Sequence, residues 1–141
     1  MKTVIQNSAP VAGIMSKEVY RVTRDRDLLE VYELMQRHGI RHVPVVESED
    51  VIGMVSRTDM MRASYGIRRD QVEENKELLK GLFAEDVMTP RPVVVSPMTS
   101  IREAAEALAE LDFSALPVIE AGVIVGIVTT TDLLRYLAGD S

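Results

Sequence analysis

At 141 residues, 46% hydrophobic and 27% charged, the chain suits one compact globular domain or two small halves sharing a core. A net charge of −6 argues against nonspecific nucleic-acid binding, and the absence of cysteine excludes disulfides and thiol chemistry. No apolar run approaches the roughly 20 residues of a membrane span, and the opening MKTVIQNSAP lacks the apolar stretch of a signal peptide. The expected setting is therefore the cytoplasm, away from membranes.

Val19 to Val22 predicts a short strand. Asp27 then opens a helix whose apolar residues, Leu28, Val31, Leu34 and Met35, recur at helical spacing until Gly39 ends it. His42 to Val46 reads as a β-branched strand carrying Pro44, the ESED run at 47–50 as a turn, and Val51 to Val55 as the partner strand of a hairpin. Ser56 opens a further helix, through about Arg62. Residues 66–83, with the charged run DQVEENKELLKGLF, read as a linker helix. Then come a strand at Val93 to Val95, a helix from Ser100 to Leu111 and a strand from Ala115 to Ile119. Glu120-Ala-Gly122 makes a turn, Val123 to Val128 a strand, and Thr129 to Leu137 a closing helix.

The two halves are copies of each other. Sliding the sequence by 73 residues puts Met15 on Met88, Val22 on Val95, Glu30 on Glu103, Glu33 on Glu106, Pro44 on Pro117, Gly53 on Gly126, Thr58 on Thr131 and Asp59 on Asp132, without a gap. A proline, a glycine and an aspartate in one register mark a duplication. Each copy is a β-α-β-β-α unit, at 10–65 and 84–138. Three strands and two helices bury their apolar face poorly alone. Two copies packed face to face with pseudo-twofold symmetry, an α/β (α+β) architecture, would bury it and leave two equivalent clefts.

Each hairpin ends in a hydroxyl residue followed three positions later by an acid: Ser56 with Asp59 and Thr129 with Asp132. This spacing makes a helix-capping box, and the acid suits the positive end of the helix dipole. The same acid repels phosphate but can accept both hydroxyl protons of a ribose diol, the logic of the ribose-binding acid in dinucleotide folds. Gly126 either admits close backbone approach or marks a bulge.

HVPVV with GMVSRTD in the first copy, ALPVI with GIVTTTD in the second, and the lead-ins GIMSKE and DVMTP together resemble the cystathionine-β-synthase (CBS) domain. The chain is similar to a tandem CBS pair, or Bateman module, over about residues 10–138. The resemblance implies a sensor that binds an adenosine-containing ligand (AMP, ADP, ATP or S-adenosylmethionine) between the repeats and signals to a partner by changing shape. It implies ribose contacts from Thr129, Asp132, Ser56 and Asp59. Its base slot maps to Pro92, Val93 and Leu116 for one site and to Val19, Tyr20 and Val43 for the other. Its phosphate contacts map to Arg41 and His42, reaching the ligand whose ribose Thr129 and Asp132 hold. Arg57 inside the first motif is a further cation. The second copy has Ser114, Ala115 and Thr130 at these three places, so unequal sites are expected. The resemblance also implies a homodimer formed through helical faces, for which Met60, Met61, Leu133 and Leu134 are candidates, and a separate effector protein of unknown identity.

Rival readings fare less well. His38 and His42 are separated by the helix-breaking Gly39 and do not form a helical metal pair. No nucleophile elbow, phosphate-binding glycine loop or catalytic acid pair is present. Neither catalysis nor a catalytic cofactor is expected. A module that only dimerises and docks remains the alternative. It would keep both caps but have no use for Arg41 and His42.

Overall fold

A computed structural model describes residues 9–63, 79, 81–111 and 113–139. The elements in chain order are a 3₁₀ turn at Val11–Gly13, β1 (Val22–Thr23), α1 (Leu28–His38), β2 (His42–Glu47), β3 (Asp50–Ser56), α2 (Arg57–Ala63), α3 (Ala84–Val87), β4 (Thr89–Pro90), α4 (Ile101–Leu111), β5 (Ala115–Glu120), β6 (Val123–Thr129) and α5 (Thr130–Leu137). The fold is mixed α+β with two repeats. The linker helix expected over 66–83 lies outside the described residues, apart from Leu79 and residues 81–83.

The chain divides into two compact units. One runs from Tyr20 to Pro92. The other joins the residues up to Val19 to those from Val93 onward. These units are cut differently from the sequence repeats, because each repeat's lead-in segment belongs to the other repeat's unit.

In the Tyr20–Pro92 unit the sheet order is β1-β2-β3-β4. Strand β1 runs parallel to β2, pairing Val22 with Val45 and Thr23 with Val46, while β2 and β3 form an antiparallel hairpin. The strand expected from Val19 is thus only two residues long, starting where the ladder begins at Val22. Strand β4 comes from the second lead-in and pairs with β3 at Gly53 and Met54. The Ala84 amide donates to the Arg26 carbonyl (2.9 Å) and the Leu28 amide to the Leu82 carbonyl (2.8 Å), fastening that lead-in to the start of α1. Asp27 caps α1 by accepting from the Leu29 amide at 2.8 Å, and Gly39, at φ 63°, ends it in the left-handed region that glycine adopts freely. Leu28, Val31, Tyr32 and Met35 face the sheet and pack with Val43, Val45 and Val55. At roughly 1.5–3 kcal/mol per fully buried large apolar side chain, this contact dominates the unit's stability.

The other unit repeats this plan 73 residues later. Strands β5 and β6 form the hairpin, and Ala121 and Gly122 at its tip take φ 52° and 82°, as a two-residue turn with both φ positive requires. Val95 makes only an isolated parallel bridge to Val118, so the strand expected at 93–95 shrinks to one residue. Ser16 bridges Ile127 as Thr89 meets Met54, and Val11, fully buried, stands where Ala84 stands. The Val11 amide donates to the Thr99 carbonyl (2.8 Å) and the Ile101 amide to the Ala9 carbonyl (2.8 Å), matching the fastening of the first unit. Ser100 caps α4, accepting from the Glu103 amide at 3.0 Å. Ile101, Ala104 and Leu108 pack with Leu116, Val118, Val128 and Leu133.

The duplicated glycines admit these lead-ins. A Cβ on Gly53 would collide with the Met88 sulfur, and one on Gly126 would lie 2.5 Å from the Met15 sulfur and 3.0 Å from the Ser16 carbonyl oxygen. Both glycines also adjoin a register shift, at Val45/Val46 and Val118/Ile119. Close approach and bulge thus coincide, and the approaching group is a lead-in methionine. Gly53→Ala and Gly126→Ala should each destabilise by about 1–3 kcal/mol through overpacking. Met88→Ala should relieve much of the first, because the clash is with a side chain. Met15→Ala should relieve less of the second, because a backbone carbonyl is also in the way. Urea denaturation of the single and paired variants measures both.

Candidate functional site

The candidate ribose and phosphate residues lie where each hairpin gives way to a helix. The fixed register of β2 against β3 places His42 opposite Ser56, and the Arg57 amide donates to the Arg41 carbonyl at 2.9 Å. Arg41, His42, Ser56, Arg57 and Asp59 therefore share one end of the Tyr20–Pro92 sheet. In the other unit Ala115 faces Thr129 and the Thr130 amide donates to the Ser114 carbonyl at 3.0 Å, so that end presents Thr129 and Asp132 without a cation from these positions.

Both capping boxes form. The Ser56 amide donates to Asp59 Oδ2 (2.8 Å) and the Asp59 amide to Ser56 Oγ (3.0 Å). The Thr129 amide donates to Asp132 Oδ2 (2.8 Å) and the Asp132 amide to Thr129 Oγ1 (3.1 Å). Each box occupies one carboxylate oxygen. Oδ1 of Asp59 and of Asp132 accepts no hydrogen bond among the described residues. Both aspartates are only half-buried. One oxygen anchors the helix start, and the other remains a strong acceptor aimed by that anchor.

The cations differ in setting. Arg41 is exposed. Arg57 is half-buried, and its Nε is enclosed without a hydrogen-bond partner. A buried guanidinium N–H left unpaired is costly and is relieved by an acceptor. Burial pushes the His42 imidazole below its ordinary pKa; Asp59 pulls it back up and Arg41 pushes it further down. Folding therefore favours neutral His42. The stability this gives is fully present above the ordinary histidine pKa and is lost as pH falls toward the lowered value. The thermal midpoint, followed from about pH 8 to about pH 5.5, should drop more in the wild type than in His42→Gln.

The residues assigned to a base slot fall into two groups. Val43 and Leu116 are fully buried, each inside the core of its own unit, so only their backbone groups can meet a ligand. Val19, Tyr20 and Pro92 are half-buried, and Val93 is exposed. The Tyr20 ring stacks on His38, a residue that the sequence did not single out for binding. No group of three or more His, Asp or Glu able to hold a metal occurs among the described residues, and none of their helices is long and apolar enough to cross a membrane.

Of the candidate interface residues, Met60 and Leu133 are buried in the cores, Met61 packs partly against one, and Leu134 is exposed. Helices α4 and α5 enclose a groove of about 320 Å3 lined by Ala105, Leu133, Tyr136 and Leu137 together with the charged Arg102 and Glu106.

Comparison with known proteins gives a family. The sequence pattern of the CBS domain matches residues 11–66 and again 84–139. The chain belongs to the CBS-domain family. It is 27% identical over 132 residues to protein MJ1225 of Methanocaldococcus jannaschii, covering 93% of this chain and 44% of that one. It is 30% identical over 118 residues to the inosine-5'-monophosphate dehydrogenase of Korarchaeum cryptofilum, covering 83% of this chain and 22% of the enzyme. The chain thus spans less than half of these two relatives. Among solved structures it resembles the CBS-pair protein CBSX2 of Arabidopsis thaliana, with a TM-score of 0.80 and 26% identity over 94% of this chain and 96% of that one. CBSX2 has also been solved in complex with AMP, and that structure matches at a TM-score of 0.77 over 93% of this chain and 97% of that one.

Proposed function

We propose that this chain is a non-catalytic regulatory module that binds an adenosine-bearing ligand, drawn from AMP, ADP, ATP and S-adenosylmethionine, and conveys its presence to an effector protein. The observation that carries this reading is the half-used carboxylate of each capping box. Asp59 and Asp132 are oriented by the helix start yet keep Oδ1 as an acceptor, which is what a ribose diol needs. The AMP complex of the related CBSX2 supports the same ligand class. Ser56 and Thr129 take part in the ribose contacts. Arg41, His42 and Arg57 supply the charge for phosphate, and the unpaired Nε of Arg57 is a donor in want of an acceptor. Val19, Tyr20, Pro92 and Val93 offer side-chain surface to the base, and Val43 and Leu116 offer backbone. The ligand acts only so far as it binds two arrangements of the protein unequally.

Thermal shift tests this directly. A ligand at 100 times its Kd stabilises the folded state by about 2.7 kcal/mol, a rise of several degrees for a domain of this size. Adenine compounds should raise the midpoint and GTP should not. Asp132→Ala should weaken adenosine binding far beyond the roughly 0.5–2 kcal/mol that loss of a cap costs in folding. Arg41→Ala should weaken ATP and ADP more than adenosine. A uniform loss across the three would make Arg41 structural.

A self-associating surface is favoured by a separate observation. Leu134 and Leu137 are 60% and 52% exposed on α5, and Leu137 lines the α4–α5 groove, while Leu133 on the same helix is buried. We propose that this face carries the homodimer. Leu134→Asp should convert a dimer into a monomer by light scattering while leaving the thermal response to adenine compounds in place. If the wild type dimerises and no adenine compound shifts its midpoint, the chain is an interaction module and the aspartates are caps alone.

A further inference from the structure

The rings of Tyr20 and His38 lie face to face, centroids 3.7 Å apart and planes 13° from parallel. Tyr20 precedes β1 by two residues and is half-buried. His38 is the last residue of α1, where Gly39 stops the helix, so its backbone is fixed by the helix end. The 73-residue offset carries Tyr20 to Val93 and His38 to Leu111, which are 36% and 43% exposed. The stacked aromatic pair is therefore a property of the first repeat, and its counterpart in the second is a pair of aliphatic side chains.

A stacked neighbour restricts the rotation of a tyrosine ring. With His38 against one face, the plane of Tyr20 is set before any ligand arrives, and the ordering cost falls on folding instead of binding. A second flat ring can then add to the opposite face in the offset stacking that aromatic rings prefer. Aliphatic side chains give dispersion contact without that orientation. A purine has more area to stack than a pyrimidine, so a preset aromatic face favours it.

We propose that His38 is a positioning residue that holds Tyr20 as the stacking platform for the purine base of the ligand taken by the first repeat. The proposal rests on the adenosyl reading above. It makes the first repeat's base slot aromatic and selective and the second repeat's aliphatic and tolerant. His38 acts through Tyr20 and does not touch the ligand.

The experiment is calorimetric titration with AMP and with CMP. Wild type is compared with Asp132→Ala, which leaves Asp59 as the ribose acid, and with that variant further changed by Tyr20→Val, His38→Leu or His38→Phe. Tyr20→Val and His38→Leu copy the second repeat. Tyr20→Val should weaken AMP binding about tenfold or more, the scale of one lost base–aromatic stack. His38→Leu should lose several-fold, and His38→Phe should restore it. Preference for AMP over CMP should narrow in the first two and return in the third, which a merely structural role would not produce. The chain has two histidines, so the imidazole proton signals are readily assigned. The His38 signal should be displaced upfield by the Tyr20 ring, and Tyr20→Val should abolish that displacement. Thermal midpoints verify that each variant is folded. If wild type binds no adenine compound, the adenosyl reading falls and the platform with it. If wild type binds AMP but Asp132→Ala does not, or if folded Tyr20→Val and His38→Leu keep full affinity and base preference, the platform alone is overturned.

Discussion

The structure depends on two methionines lying across two glycines. Met88 crosses Gly53 and Met15 crosses Gly126, each where no Cβ fits. These contacts seat the lead-in segments that complete the sheets. Each hairpin has one edge beside β1 or Val95 and the other beside a lead-in, at β4 or Ser16. Without the lead-ins those edges would expose unpaired backbone groups, a liability for any small sheet. The buried Val11 and Ala84 carry the same segments into the two cores.

From that scaffold follows the position of the chemistry. The hairpins hold a fixed register, so each strand ends opposite the start of its partner, and the helix that follows must be capped there. The Ser-x-x-Asp and Thr-x-x-Asp boxes satisfy the orphan amides with one carboxylate oxygen each. On the proposed function, cap and ribose contact are one device. What the duplication does not copy is charge. Arg41, His42 and Arg57 stand in one unit where Ser114, Ala115 and Thr130 stand in the other. Likewise the stacked pair Tyr20–His38 corresponds, at the 73-residue offset, to the aliphatic Val93 and Leu111. Two sheets of one design carry different surfaces at the ends where the capping boxes lie.

Much of this was legible in the sequence, because it is written in local rules. Asp27 and Gly39 delimit α1 by capping chemistry, and Thr129 with Asp132 does the same for α5. The hairpins follow from β-branched runs and turn residues. The first strand of each repeat is shorter than its composition predicts: Val19–Val22 and Val93–Val95 have strand composition, but pairing sustains only Val22–Thr23 and the single bridge at Val95. The lead-in exchange is long-range, and no local rule predicts it, yet the sequence carries its signal. Met15/Met88 and Gly53/Gly126 are both exact coincidences of the repeat, and a large side chain matched to a glycine in both copies is a packing pair. Val43 and Leu116 illustrate the converse: a strand residue next to a site reads as lining from sequence, whereas the pleat turns its side chain into the core. His38 was invisible because its stack with Tyr20 spans 18 positions and depends on where α1 stops.

The exchanged lead-ins also bear on the order in which the chain acquires its structure. The Tyr20–Pro92 unit is continuous in sequence, whereas the other must bring residues 9–16 to residues 97–127. Closing so long a loop in an open chain is entropically unfavourable and slow. Once the continuous unit forms, the chain enters its sheet at β1 and leaves at β4, on opposite edges of four strands. Three strand spacings, roughly 14 Å, then separate the two points. The first unit to fold thereby acts as a tether for the second, shortening the effective loop that its remaining pieces must close. During synthesis the amino-terminal segment emerges early but finds its partner strand only after the second hairpin has been made.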